Sequence, residues 1–455
     1  MKWKKYSSIW LVKLGILKMT QRKFQTREEH AEYLNNYSID PRKAMFTIIL
    51  SIIVDVFGYS MVLPLLPVIV TEMGSTALFV GILVSSNALS AFIFGPIWGK
   101  LSDKYGRKPI LLISQAGTGL SFLILALSPN VYVILFSRFL DGVFGGQIPV
   151  IRAYIADITT PATRASEMGK LMVGHTVGMV FGPIIGGLLG VINWRYPSLI
   201  AVILSIIAMI LTIRVLIESM PKDRISDLNL RKKHRELSSE KIRKTFTREI
   251  ILRFVQVFLL FFITVMFNSS MSLILFERYG ASTIIIGLVM TLAGVTVMIY
   301  GGFLMKPLFK KVGEKRVLLI ASSLLIINFA VFPFMTDLWM IFAFIPSFVF
   351  SMVFLPSLIQ SNISKAVDDD KQGVVSGMTT NIQSIAQIIS PLVATGFIEI
   401  GGITLGMIFL NAYELIGYTA VILGIGLFIA LFFDLKRHSY LYSYEKPQKE
   451  SIKSN

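Results

Sequence analysis

The chain has 455 residues, of which 54% are hydrophobic and only 16% charged, with a net charge of +17. Its mean hydropathy of +0.69 leaves too little polar surface to cover a water-soluble globule of this length, so a lipid bilayer is the solvent that the composition fits. There is no cysteine, which excludes disulfides, thiolate metal sites and thiol chemistry.

The first residues, "MKWKKYSSIWLVKLGILKM", have the basic start of a signal peptide, but Lys13 breaks the apolar stretch and no small-residue cleavage site follows. They read as part of a tail covering 1–43. Twelve apolar runs then follow, each long enough to cross a membrane as a helix: Ala44–Val70, Ala77–Trp98, Pro109–Leu127, Val131–Ala156, Met168–Ile192, Ser198–Ile217, Ile250–Phe276, Ser282–Met305, Val317–Phe334, Leu338–Ile359, Val374–Ile398 and Ala412–Phe433. The runs are continuous rather than alternating, which predicts helices and not the strands of a barrel.

Lysine and arginine set the orientation. The tail before Ala44 holds ten of them, and others crowd into 99–109, 219–249 and 306–316, while the alternate loops carry only Arg195 and Arg278. The basic loops and both termini are therefore expected in the cytoplasm of a multi-pass cell-membrane protein. Basic charge spread in this way orients a membrane protein, and no nucleic-acid partner is expected. The runs also repeat. Starts at 44, 77, 131 and 168 return at 250, 282, 338 and 374, an offset of 205 to 207 residues. The pattern predicts an all-α integral membrane protein with twelve transmembrane helices in two six-helix halves, 44–218 and 250–434. A cytoplasmic linker at 219–249 joins them and a tail at 435–455 follows. Parallel repeats of this kind place a ligand site between the halves.

The stretch "GKLSDKYGRKP", 99–109, is the densest charge between two spans. Gly106 gives the backbone freedom for a tight reversal and Pro109 suits the start of a helix. Asp103 has no role in orientation. Two partners suit it: Arg107 at i+4, or the positive N-terminal end of the helix starting near Val374. A degraded copy, "KPLFKKVGEKR", recurs at 306–316, with Gly313 opposite Gly106 and Lys310 where Asp103 would be.

At Gly99, Leu101, Asp103, Lys104, Gly106, Arg107 and Lys108 the stretch resembles the loop signature of the major facilitator superfamily, G-x-L-x-D-[RK]-x-G-[RK]-[RK]. "RFLDGVFGG", 138–146, is similar to the family's fourth-helix pattern through Arg138 and Gly142. "GMVFGPIIGG", 178–187, is similar to the fifth-helix motif of its proton-driven antiporters at Gly178, Gly182, Pro183, Gly186 and Gly187. "DVFGYSMVLP", 55–64, and "YIADIT", 154–159, look like the matching stretches of tetracycline-efflux proteins. The resemblance implies the major facilitator fold and proton-coupled export of small, often lipophilic compounds. It also implies that Asp103, Arg107 and Asp157 form a gating charge cluster with the glycines of the loop.

Charge inside a span is costly and marks function. Asp55 sits about 16 Å along the first span, near the midplane of a core about 30 Å thick, with no basic residue in its own helix. It is the leading candidate for carrying a proton, the other reading being a structural acid bonded to a neighbouring helix. Arg138 and Asp141 share a face of the fourth span. They serve either to tune a proton site or simply to hold the bundle together as a neutral pair. His175, in the fifth span, is a weaker candidate for proton relay. The row Gly174, Gly178, Gly182 and Gly186 makes a flat stripe for close helix approach, with Pro183 able to bend it; it reads as a hinge or seal between the halves, or as tight packing. Arg152, Arg214 and Arg253 lie near the basic ends of their spans, where long side chains snorkel to the interface.

The second half has almost no acid inside a span. It offers Asn268, Gln360, Asn381, Gln383 and Gln387, with phenylalanines such as Phe261, Phe344, Phe348 and Phe354. These read either as the wall of an amphiphile pocket, or as lipid-facing rings and helix-binding amides. The function expected is export of small amphiphilic compounds driven by protons, by a monomer without cofactor or metal. A metabolite symporter or uniporter of the same fold is one alternative, and a non-transporting membrane receptor or scaffold is another. No nucleophile–base set, H-x-x-x-H or phosphate-loop pattern points to an enzyme.

Overall fold

The computed structural model describes residues 34–220, 248–367, 372–405 and 408–442. The expectations placed on most of the N-terminal tail, the linker and the C-terminal tail lie outside these residues. Among the described residues, twelve helices are long and apolar enough to span a membrane. In chain order they are α1 (Pro41–Glu72), α2 (Ala77–Tyr105), α3 (Arg107–Ala126), α4 (Val131–Ile158), α5 (Ser166–Ile192), α6 (Arg195–Val215), α7 (Glu249–Tyr279), α8 (Thr283–Val312), α9 (Glu314–Phe334), α10 (Leu338–Lys365), α11 (Gln372–Ile400) and α12 (Ala412–Arg437). The fold is that of two six-helix halves. One membrane face carries the basic loops; the other is called here the opposite face.

Several spans depart from single straight helices. α1 passes through a 3₁₀ turn at Leu63–Leu65 that contains Pro64, with Pro67 in the first turn of the helix that resumes, because neither proline can donate to the helical ladder. α4 breaks at Gly146 and Gln147 into Val131–Gly145 and Ile148–Ile158, where the run reads as unbroken in sequence. α8 contains a π-helical turn at Tyr300–Leu304 around Gly301 and Gly302. Between α11 and α12 the chain forms a short antiparallel hairpin, β1 (Gly402–Leu405) and β2 (Ile408–Asn411). Gly401 and Gly402, both at positive φ, end α11 and admit the turn into it.

The halves meet through two related pairs, α2 on α11 and α5 on α8, as expected for repeats in which α2 corresponds to α8 and α5 to α11. Contact is made in the half of the bundle nearer the opposite face. There an added Cβ on Gly81 would lie 2.0 Å from Thr395 Oγ1, and one on Gly187 2.5 Å from the Thr283 carbonyl. Thr283 and Thr291 donate to the carbonyls of Gly187 and Val180, both at 3.1 Å. Leu78 N–H at the start of α2 donates to Glu399 at the end of α11, 3.2 Å away. Toward the basic face this contact ends: Gly169, Gly301, Gly302, Gly373 and Gly377 have open space where a Cβ would sit. The bundle therefore opens on the basic face. Thr380, Asn381, Ser384 and Gln387 follow helical spacing on α11, and Thr380, Asn381 and Gln387 are exposed well inside the span. Polar groups there belong against a watery vestibule rather than lipid.

The core of the second half is aromatic. Phe267 sits among Phe329, Phe332, Phe344 and Phe348 at centroid distances of 5.0–5.3 Å. Phe344, Phe348 and Phe354, read in sequence as pocket walls or lipid-facing rings, are all buried between helices. The reason is geometric: Phe344 and Phe348, one turn apart on α10, pack on Phe267 of α7 and Phe329 of α9, while Phe354, on another side of α10, packs on Tyr300 and Phe309 of α8.

Candidate functional site

Two clusters of charge stand out in the first half, one at mid-span and one on the basic face. At mid-span, Arg138 Nη1 and Asp141 Oδ2 form an ion pair of 3.2 Å, with both side chains more than nine-tenths buried. Asn87 of α2 joins it, donating to Asp141 Oδ2 at 2.9 Å and to the Arg138 carbonyl at 3.2 Å. This reach requires α2 and α4 to touch. Gly142 permits it, since a Cβ there would lie 2.2 Å from the Asn87 carbonyl oxygen. The Arg138 guanidinium lies over the Phe122 ring, 5.3 Å from its centroid, and donates to Ser137 Oγ at 3.3 Å. Its Nε has no hydrogen-bond partner among the described residues. A buried pair of this kind is held by geometry and hydrogen bonds rather than by net Coulomb gain.

Asp55 of α1 faces this pair. Asp141 acts on it through space, and the Gln147 side chain at the break in α4 reaches its carboxyl. Tyr59, one turn further along α1, lies beside Asp141 and Arg138. Tyr59, Leu66, Leu83, Asn87 and Arg138 line a small cavity at this level. The structure thus brings Asp55, Arg138 and Asp141 together. Asn87, Tyr59 and Gln147 were not legible as site residues. The one local mark of the break in α4 is "GGQIP" at 145–149, a glycine pair before a proline, which the reading of 131–156 as one continuous run passed over. No hydrogen bond joins His175 to this cluster among the described residues; it lies exposed on α5.

On the basic face, Gly106 holds φ at +101° and is both the end of α2 and the cap of α3. A Cβ there would lie 2.6 Å from Glu218 Oε2. Glu218 lies just beyond α6 and accepts from the N–H groups of Arg107 and Lys108 at 2.8 and 3.0 Å, which places a carboxylate on the positive end of α3. The buried Arg107 side chain reaches Asp103 at 2.8 Å, Asp157 at 3.2 Å and Ser102 Oγ at 2.6 Å. Ser219 donates to Asp157 at 3.2 Å. Gly99 supplies the carbonyl that Ser102 Oγ donates to. Of the two partners read for Asp103, the structure presents Arg107. Glu218 and Ser219 escaped the sequence reading because they lie more than sixty residues from their partners in the chain.

The second half carries an equivalent pair with the charges exchanged. Glu314, the first residue of α9, bonds Lys365 at the end of α10 at 3.0 Å. These positions lie 207 and 208 residues on from Arg107 and Asp157. Nearby, Arg253 does not snorkel: it is 2% exposed and pairs with Asp434 of α12 at 3.3 Å. Asp434 also bonds His438 at 3.0 Å and accepts from the Tyr442 hydroxyl at 2.5 Å. Burial and the adjacent Asp434 carboxylate push that hydroxyl above the usual tyrosine range. Arg152 and Arg214 are exposed.

The stripe Gly174, Gly178, Gly182 and Gly186 packs on α1 of its own half. Cβ atoms on Gly182 and Gly186 would lie 1.8 Å from Ser60 Oγ and 2.1 Å from the Met61 carbonyl. Ser60 donates to the Gly178 carbonyl at 2.9 Å. The neighbouring face of α5 meets the other half: the Pro183 carbonyl would lie 2.5 Å from a Cβ on Gly287, and Gly187 abuts Thr283. Close packing and inter-half contact therefore fall on two faces of one helix.

The family model of the Major Facilitator Superfamily matches residues 48–391. The chain is similar to the tetracycline resistance protein, class C, of Escherichia coli, at 30% identity over 77% of this chain and 89% of that one. It is similar to multidrug resistance protein 2 of Bacillus subtilis at 26% identity, over 86% and 96% of the two chains. Among solved structures, the human organic anion transporter MFSD10 (TETRAN) aligns with a TM-score of 0.61 at 20% identity, over 86% of this chain and 99% of that one.

Proposed function

The chain belongs to the Major Facilitator Superfamily, and we propose that it exports small amphiphilic compounds, drugs among them, in exchange for protons by alternating access. The observation that carries this reading is the placement of Asp55 at mid-span beside the buried Arg138–Asp141 pair, in a bundle that opens on one face only. The excess of Lys and Arg assigns that face and both termini to the cytoplasm, so the conformation is cytoplasm-open.

In this state Asp55 is in reach of substrate and water from inside. Arg138 is paired with Asp141, and Asp55, which has no ion pair among the described residues, is the carboxyl that exchanges its proton. Substrate entering from the cytoplasm favours release of the proton inward. Closure on the basic face follows, with opening on the other, where Asp55 takes up a proton and substrate leaves. The loop cluster of Asp103, Arg107 and Asp157, with Gly99 and Gly106, is the part that rearranges when the basic ends close. The row Gly178, Gly182, Gly186 holds α1, and with it Asp55, rigidly to α5, while Pro183 and Gly187 form the seal against α8. One twelve-helix chain contains every part of this cycle, so the monomer is the transporting unit.

The test uses purified protein in liposomes whose lumen is acid and contains a pH-sensitive dye. Tetracyclines, quinolones and lipophilic cations are added outside. Alkalinisation of the lumen on adding a compound, lost in Asp55→Asn, is the expected result. Substrate-driven uptake together with protons, in place of exchange, would refute export and favour a symporter.

A further inference from the structure

The break in α4 is built by three helices. In an unbroken helix the carbonyls of Val143 and Phe144 would accept from the amides of Gln147 and Ile148. Here Trp98 of α2 donates its Nε1–H to the Val143 carbonyl, and Ser114 of α3 donates to that of Phe144. Both carbonyls stay satisfied without continuing the ladder. Pro149, which has no N–H, sits in the first turn of the new half-helix Ile148–Ile158. Gln147 caps this half-helix, with its carbonyl accepting from Ile151 N–H at 3.0 Å.

Gln147 is only 2% exposed, and its Oε1 has no hydrogen-bond partner among the described residues. A buried, unpaired amide oxygen is costly and requires an explanation. Its side chain reaches the Asp55 carboxyl. A carboxyl that loads and unloads a proton changes its bonding: ionised it only accepts, protonated it must also donate. A side-chain amide carries a donor and an acceptor on two separate atoms of one planar group, so by turning it can face either form of the carboxyl. Other titratable or charged side chains at this level are Tyr59 on α1, Arg138 and Asp141 on α4 and His175 on α5; α6 brings none between Tyr196 at its opposite-face end and Arg214 near its basic-face end.

We propose that Gln147 is a positioning residue for the proton step: its NH₂ holds ionised Asp55, and its Oε1 receives the Asp55 O–H once the carboxylate has taken a proton from a hydronium ion and left water behind. The break in α4 frees the residue from the helical ladder and lets the amide turn between the two arrangements. Both forms of the carboxyl are then satisfied, so neither is trapped. The half-helix that Gln147 caps ends next to Asp157, which bonds Arg107. The proton step and the loop cluster thus sit at the two ends of one rigid element about 16 Å long.

This inference rests on Asp55 being the exchanging carboxyl, and the experiment separates the two. Infrared difference spectra of the full chain in liposomes, recorded between acid and alkaline buffer, identify the Asp55 carboxyl band by its loss in Asp55→Asn. In Gln147→Leu the band is expected at higher frequency, because the protonated carboxyl has lost its amide acceptor, and exchange is expected to fall about tenfold or more. Gln147→Asn keeps the amide but shortens its reach, and gives the same shift should the leucine variant not fold. An Asp55 band that does not move in either variant overturns the role of Gln147 alone. Absence of any Asp55 band in the unmodified protein overturns the proton site, and this role with it.

Discussion

Gly142→Ala tests whether the mid-span site depends on contact between α2 and α4. An ideal Cβ at 142 lies 2.2 Å from the Asn87 carbonyl oxygen and 2.8 Å from Ser90 Cβ. Ordinary contact begins near 3.4 Å, so the two helices must separate by about 1 Å; a backbone carbonyl inside a helix has no rotamer in which to escape. Overpacking of this kind costs about 1–3 kcal/mol. The separation also stretches the bonds that Asn87 makes to Asp141 and to the Arg138 carbonyl, 2.9 and 3.2 Å long. A hydrogen bond to a charged group contributes about 1.5–3 kcal/mol. Together the loss is about 2.5–6 kcal/mol, against a gain of at most about 1 kcal/mol for alanine over glycine in a helix. The assay is thermal unfolding in detergent, paired with exchange in liposomes. Gly142→Ala is expected to lower both. Asn87→Ala, which removes the bonds without the clash, should lose exchange with a smaller loss of stability. Gly301→Ala, with open space where its Cβ would sit, should leave stability unchanged or slightly raised. Wild-type unfolding and exchange in Gly142→Ala would refute the argument.

Three further outcomes follow from particular contacts. Arg253→Ala leaves Asp434 buried without its cation and should destabilise the chain by about 3–5 kcal/mol, read as a lowered unfolding temperature; pairing it with Asp434→Leu should recover much of the loss. Glu218→Gln keeps the shape of the α3 cap but removes its charge, and should cost about 0.3–1 kcal/mol, with a dependence on salt that the unmodified protein shows more strongly. Glu399→Ala removes the bond from α11 to the start of α2. Distances between spin labels on the opposite-face ends of these helices should broaden and lengthen, measured without background because the chain has no cysteine of its own.

The number of spans, their duplication and the side on which basic charge gathers were all present in the order of residues. Each depends on a solvent: a run of about 20 apolar residues inserts wherever it occurs, and Lys and Arg stay on one side without any partner. The tight reversal at Gly106 was legible for the same local reason, since its φ of +101° is a demand of one residue. The candidate acids could be named because a charge inside a span is conspicuous whatever surrounds it. What surrounds them was decided by the tertiary structure. Asn87 reaches Asp141 across 54 residues of chain, Glu218 caps α3 across 111, and Arg253 meets Asp434 across 181. Trp98 and Ser114 cap a break in a helix to which neither belongs. The same holds for the phenylalanines of α10, since composition alone does not distinguish a ring facing lipid from one facing another helix. In a bilayer both surroundings are apolar, and only the packing of one helix on the next tells them apart.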